Sequence, residues 1–114
     1  MNNNIYQKSF QFAIRIVNLC KYLQSDQKEY ILSKQILRSG TSIGANVAEA
    51  QQAQSKPDFI SKLSIALKEA AETDYWLRLL FATNYINQTQ FDSMITDCDE
   101  IESILVSIVK NSKQ

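Results

Sequence analysis

Apolar residues recur along this chain at steps of three and four almost from end to end. That spacing puts side chains on one face of a helix. Near the start, Tyr6, Phe10, Ala13, Val17 and Cys20 form one row, and Phe12, Ile16, Leu19 and Leu23 form an adjoining row. The pattern predicts a helix over about Ile5 to Gln24 with a wide apolar face, as expected of a helix buried on more than one side. Ser25 to Lys28 is a short polar turn in which Ser25 or Asp26 is placed to cap the next helix.

A second helix is predicted over about Lys28 to Gln52, with Ile36, Gly40, Ile43, Val47 and Ala50 as its core row. Glycine inside a helix costs about 1 kcal/mol against alanine. Gly40 and Gly44, four apart, therefore imply a gain from close backbone approach or a bend. A break at Ser39 to Ser42 is the alternative, with Thr41 or Ser42 capping a new helix. The periodicity keeps phase across both glycines, which favours one bent helix. Pro57, with Ser55 before it and Asp58 three after Ser55, resembles a capping box at the start of a third helix, about Pro57 to Thr83. Ala66, Ala70, Thr73, Leu77 and Leu80 line its core row. Asn84 to Gln88 is a short turn. A fourth helix, about Thr89 to Asn111, repeats Phe91, Met94, Cys98, Ile101, Leu105 and Ile108 without a fault. Short links between long helices force antiparallel neighbours. The expected fold is all-α: a single antiparallel up-down-up-down four-helix bundle over residues 1–114.

Composition narrows the picture. Two glycines and one proline are too few for the turns of an all-β chain. The chain has no histidine, which removes Glu-x-x-His dimetal sites and histidine-based hydrolase or nuclease centres. Cys20 and Cys98 lack the spacing of a zinc pair and sit on apolar stripes, so both read as buried thiols. Both glycines lie within a helical pattern, so there is no phosphate-binding loop. No enzyme activity, cofactor, metal or small-molecule substrate is expected. The start lacks the order of a signal peptide and no apolar run reaches the roughly 18 residues of a membrane span. A cytoplasmic protein without a membrane partner is the expectation.

Formal charge is zero but unevenly spread: residues 1–68 hold nine bases and four acids, and residues 69–109 hold one base and eight acids. Lys34, Arg38, Lys56, Lys62 and Lys68 are the candidate nucleic-acid contacts, because antiparallel helices two and three bring some of them toward the Pro57 turn. Solubilising lysines are the plainer reading. Arg38, Ser42, Asn46 and Glu49 lie near one face of helix two. They form either a binding edge, with Arg38 meeting a phosphate or carboxylate, or a structural row. In the structural row Arg38 pairs with a helix acid, Ser42 bonds back to its own helix, and Asn46 and Glu49 fix helix register or a subunit contact. Thr73 is expected to bond the Glu69 carbonyl, and Glu69 and Glu72 to form a solvated acidic face. Helix three is apolar almost all round near its end. The surplus residues, Ile65, Trp76 and Leu79, are the candidate contact with another subunit.

The run Gln35-Ile36-Leu37-Arg38, then Thr41-Ser42-Ile43, then Ala45-Asn46-Val47-Ala48-Glu49, resembles a bacterial family of four-helix bundle proteins associated with intervening sequences in 23S ribosomal RNA. Ser55, Asp58-Phe59, Ser64 to Leu67 and Ala71-Glu72-Thr73 continue the likeness in helix order. Gly44 stands where many members carry proline, and Ala50 where many carry glycine. A related branch includes the accessory protein of diversity-generating retroelements, which is similar in fold. The resemblance implies a bundle assembled as a homo-oligomeric ring, a pentamer favoured. With the lysines above, it suggests an RNA- or nucleoprotein-associated accessory protein that acts by binding. A protein-interaction scaffold that binds no nucleic acid is the alternative.

Overall fold

The computed structural model describes residues 3–113. It contains four helices: α1 Asn3–Ser25, α2 Leu32–Ala50, α3 Lys56–Ala82 and α4 Gln88–Ser112. Each helix packs on the next, and α4 closes on α1, so the four stand in chain order around one core. Cross-contacts give the directions. Cys20 meets Ser33 and Ile16 meets Gly40, while Ser39 meets Thr73 and Glu49 meets Lys62. In each pair of helices one number rises as the other falls, so neighbours are antiparallel. The expected up-down-up-down bundle is the observed one, 44 Å long and about 20 Å across.

The core rows read from the sequence are inside, except that in the first row of α1 only Cys20 is buried, while Phe10 and Val17 are exposed because that face turns away from the other three helices. Phe12, Ile16, Leu23, Ile36, Ile43, Leu63, Leu77, Leu80 and Leu105 are almost fully buried. Helix α2 runs unbroken through Ser39 to Ser42, so both glycines lie within one helix. The reason is proximity to α1. A Cβ built on Gly40 would stand 2.7–2.9 Å from three side-chain carbons of Ile16, and one on Gly44 would stand 3.2 Å from the Ser9 carbonyl oxygen. The backbones of α1 and α2 approach where α2 has no side chain to hold them apart.

Three helix starts differ in detail from the sequence expectation. Neither Ser25 nor Asp26 caps α2. The Ser25 hydroxyl is spent on Lys21 and Asp26, and Lys28 adopts a left-handed backbone (φ 54°) that a helix cannot include. The chain turns inward instead, and the buried Glu29 carboxylate accepts from the backbone N–H of Ile31 (3.1 Å) and Ser33 (2.7 Å), so α2 begins at Leu32. At α3, Ser55 accepts from the Asp58 N–H as expected, but the Asp58 carboxylate reaches one residue further back, to the Gln54 N–H. Helix α4 starts with a full capping box: Asn87 accepts from the Gln90 N–H, and the Gln90 side chain accepts from the Asn87 N–H, both at 2.8 Å.

Candidate functional site

The polar residues singled out on α2 face α3, and each is engaged there or on its own helix. Arg38 donates to Glu69 (3.1 Å) and to Glu72, with half of its side chain still exposed. Glu69 and Glu72 are therefore the two arms of an interhelical ion-pair fork rather than a free acidic face. Glu72 also accepts from the indole N–H of Trp76 at 2.9 Å. The Ser42 hydroxyl donates to the Arg38 carbonyl (2.6 Å), and the Asn46 amide donates to the Ser42 carbonyl (2.8 Å). Glu49 pairs with Lys62 at 3.2 Å. Thr73 lies 2.8 Å from the Glu69 carbonyl and 2.9 Å from the Ser39 hydroxyl, a buried polar bridge from α3 to α2. Arg38 and Glu49 thus pair across to α3, while Ser42 and Asn46 bond within α2.

The five candidate nucleic-acid contacts are not brought together. Lys56 and Lys62 stand near the α2–α3 turn, as the antiparallel arrangement requires. Lys34 is near the other end of α2, about 24 Å from that turn at 1.5 Å per residue. Lys68 lies between, exposed. Arg38 and Lys62 are already matched with carboxylates.

The subunit-contact candidates Ile65, Trp76 and Leu79 do share one stripe of α3. Ile65 is exposed, while Trp76 and Leu79 are half-buried. A second apolar surface has more exposed side chains, and the sequence reading did not name it as a contact. Phe10, Ile14 and Val17 of α1 are 56%, 42% and 37% exposed. Phe10, with Tyr6, also borders a groove of about 310 Å³ floored by Ala13, Thr41, Gly44, Ala45 and Ala48. Its signal was present in the width of the first apolar face, which one bundle core cannot cover. The α1–α4 seam opposite is polar and the loosest of the four. Lys8 and Glu100 (2.5 Å) and Arg15 with Asp97 and Ser93 span it.

One cluster joins α3 to α4. Asp74, Cys98 and Glu102 bring two carboxylates and a thiol within 4.8 Å of one another. Burial first, then the nearby charges of Glu102, Asp74 and Asp99, push the Cys98 thiol far above its ordinary range. Burial alone pushes the Cys20 thiol up to about 11. Both thiols are thus protonated and inert near neutrality. No helix among the described residues is long and apolar enough to cross a membrane.

The family model described as 23S rRNA-intervening sequence protein matches residues 1–107. The chain is also similar to a protein with unknown function from the S23 ribosomal protein family of Bacteroides thetaiotaomicron, whose crystal structure was determined at 1.70 Å. The two are 60% identical over 93% of this chain and 98% of that one, with a TM-score of 0.92. No curated protein matches the chain.

Proposed function

The chain belongs to the 23S rRNA-intervening sequence protein family, and from that premise we propose that it is a non-catalytic, self-associating accessory protein of a ribonucleoprotein. The observation that carries this reading is the α1–α2 flank. Phe10, Ile14 and Val17 stand in solvent beside a groove lined by uncharged residues, whereas charged pairs occupy the α2–α3, α3–α4 and α1–α4 flanks. Contiguous exposed apolar surface marks a place where another macromolecule sits. Binding rather than catalysis follows from the side chains available. There is no histidine, both thiols are buried, and the polar row on α2 is committed to packing.

The ribonucleic acid element of the proposal rests on the family description and on the exposed lysines, of which Lys34 and Lys68 are unmatched by any described carboxylate. A scaffold that meets only protein is the second reading. It is favoured by the scatter of the basic side chains and the neutralisation of Arg38 and Lys62. Titration of a structured 23S RNA stem into the protein at 50 mM and 200 mM salt separates the two. A shift that weakens with salt, and weakens further in Lys68→Glu, supports RNA contact. No shift at low salt leaves the scaffold reading. Light scattering of the protein alone tests self-association, and a monomer at 100 µM ends that part of the proposal.

A further inference from the structure

The loosely packed α1–α4 seam holds an open pocket of about 340 Å³, apart from the apolar α1–α2 flank. Small-ligand pockets span roughly 300–1,000 Å³. From α1 it is lined by Arg15, Asn18, Leu19 and Tyr22, which share a face at i, i+3, i+4 and i+7 spacing, and from α4 by Gln90 and Met94. Leu19 and Met94 are buried and supply an apolar floor. The groups around that floor are held from behind. The Gln27 amide donates to the Tyr22 hydroxyl at 2.8 Å. The Gln90 side-chain oxygen accepts from the Asn87 N–H in the α4 capping box. Arg15 donates to the Ser93 carbonyl (3.2 Å), the Ser93 hydroxyl (2.6 Å) and Asp97. Side chains fixed in this way have little freedom left to lose when a ligand arrives.

The hydrogen-bonding groups still free define the ligand. Gln90 keeps its amide N–H groups, because the cap uses only its oxygen. Arg15 keeps its Nε–H, because its described bonds use only the two terminal nitrogens. The Asn18 carboxamide is exposed and has no hydrogen-bond partner among the described residues, so it offers both a donor and an acceptor. The rim is therefore rich in donors, with the Asn18 oxygen as its acceptor, above an apolar floor and beside the Tyr22 ring. Adenine has the matching edge: ring nitrogens that accept and one exocyclic amino group that donates. A carboxamide pairs with it bidentately. Guanine brings an additional ring N–H, for which the rim has no second acceptor. Lys21 stands one turn beyond Asn18, and no described carboxylate pairs with it.

We propose that this pocket takes an unstacked adenine base of single-stranded RNA. The base lies against Tyr22 and the Leu19–Met94 floor, Asn18 pairs with its amino edge, Gln90 and Arg15 donate to its ring nitrogens, and Lys21 meets the adjoining phosphate. The inference rests on the RNA reading above and gives it a site that selects a base. Phosphate contacts from scattered lysines hold a strand without reading it, whereas contacts to a base edge do the reading. A paired base in a duplex stays stacked and cannot enter. None of the pocket residues is among the five basic contacts read from the sequence, because the site exists only once the two ends of the chain lie side by side.

Fluorescence anisotropy at low salt, with labelled twelve-nucleotide adenine and uracil RNA strands and the duplex they form, tests this. The wild type is expected to bind the adenine strand at least about fivefold more tightly than the uracil strand or the duplex. Asn18→Ala, at an exposed position, is expected to leave the melting temperature unchanged and to abolish the preference between strands. Tyr22→Ala is expected to weaken the adenine strand about tenfold, and Tyr22→Phe, which keeps the ring and the fold, to retain it. Lys21→Glu is expected to weaken both strands alike and to reduce the salt dependence. Adenosine monophosphate is expected to compete far more weakly than the strand. Equal wild-type affinity for the two strands, a preference that survives Asn18→Ala, or equal losses in Tyr22→Ala and Tyr22→Phe overturns the pocket assignment. Competition by the mononucleotide as strong as by the strand overturns RNA as the source of the base. A protein that binds the structured 23S stem but neither strand loses this site and keeps the RNA reading; one that binds no RNA at low salt loses the reading on which the site rests.

Discussion

Replacing Gly40 by alanine tests why α2 tolerates glycine. In an exposed helix the change stabilises by about 1 kcal/mol, because alanine is the better helix former. Here the new methyl would stand 2.7 Å from Ile16 Cγ1 and 2.9 Å from Cδ1 and Cγ2. Comfortable carbon contacts lie at about 3.5–4.0 Å. Both branches of Ile16 are struck, so no rotation of its side chain clears the methyl, and Ile16 is fully buried with nowhere to retreat. Forcing a methyl into a packed core costs about 1–3 kcal/mol. Against the propensity gain, Gly40→Ala is expected to destabilise by up to about 2 kcal/mol, which lowers a urea midpoint by up to about 1–2 M. Ile16→Ala supplies the control. With the isoleucine gone the clash disappears, and Gly40→Ala should then stabilise by its propensity alone. The sign therefore reverses between backgrounds. Urea unfolding followed at 222 nm, at one fixed protein concentration so that any association contributes equally, measures all four proteins. Stabilisation by Gly40→Ala in the wild-type background would refute the close-approach reasoning.

Other consequences concern the helix starts, the buried bridge and the thiols. Burial raises the pKa of Glu29, but the backbone N–H groups of Leu32, Ser33 and Ile31 outweigh it and hold the carboxyl below the ordinary range. A depressed carboxylate stabilises the fold above its unfolded pKa, about 4.3, and that increment is lost as pH falls through the lower folded value. Glu29→Gln is expected to cost about 1–2 kcal/mol at pH 7 and progressively less below pH 4, as measured by urea midpoints from pH 2.5 to 7. Equal losses at both ends would contradict the capping role. Thr73→Val leaves the Ser39 hydroxyl without its interhelical partner and is expected to cost about 1–2 kcal/mol. Adding Ser39→Ala should recover much of this, and simple additivity would show that the hydroxyls do not act as a pair. A thiol reagent at pH 8 is expected to modify neither Cys20 nor Cys98 until the chain is unfolded, and rapid reaction of either would contradict its burial.

What was legible in the sequence was whatever depends on local spacing. The core rows, the three short links and the in-phase glycines determine a four-helix bundle, and the helix bounds differ mainly where the cap is not local. Asn87 and Gln90 carry the capping-box spacing openly. Glu29 carries no such signal, because its role depends on a left-handed Lys28 that aims the chain inward. Arg38 was visible as a choice between binding edge and ion pair, and only the placement of α3 decides which acids it meets. The basic residues were countable but not placeable: Lys34 and Lys56 belong to adjoining helices yet stand at opposite ends. The width of the first apolar face was plain, whereas its second side is uncovered in one bundle for a reason no single helix contains. Phe10 and Val17 point past the core that Phe12 and Ile16 fill.

The mass of the wild-type protein in solution bears most directly on whether that uncovered side is an interface. Multi-angle light scattering behind size exclusion at 10–100 µM is expected to give a multiple of 13.0 kDa greater than two. A single chain of 13.0 kDa across that range would mean that Phe10, Ile14 and Val17 face solvent in the working protein.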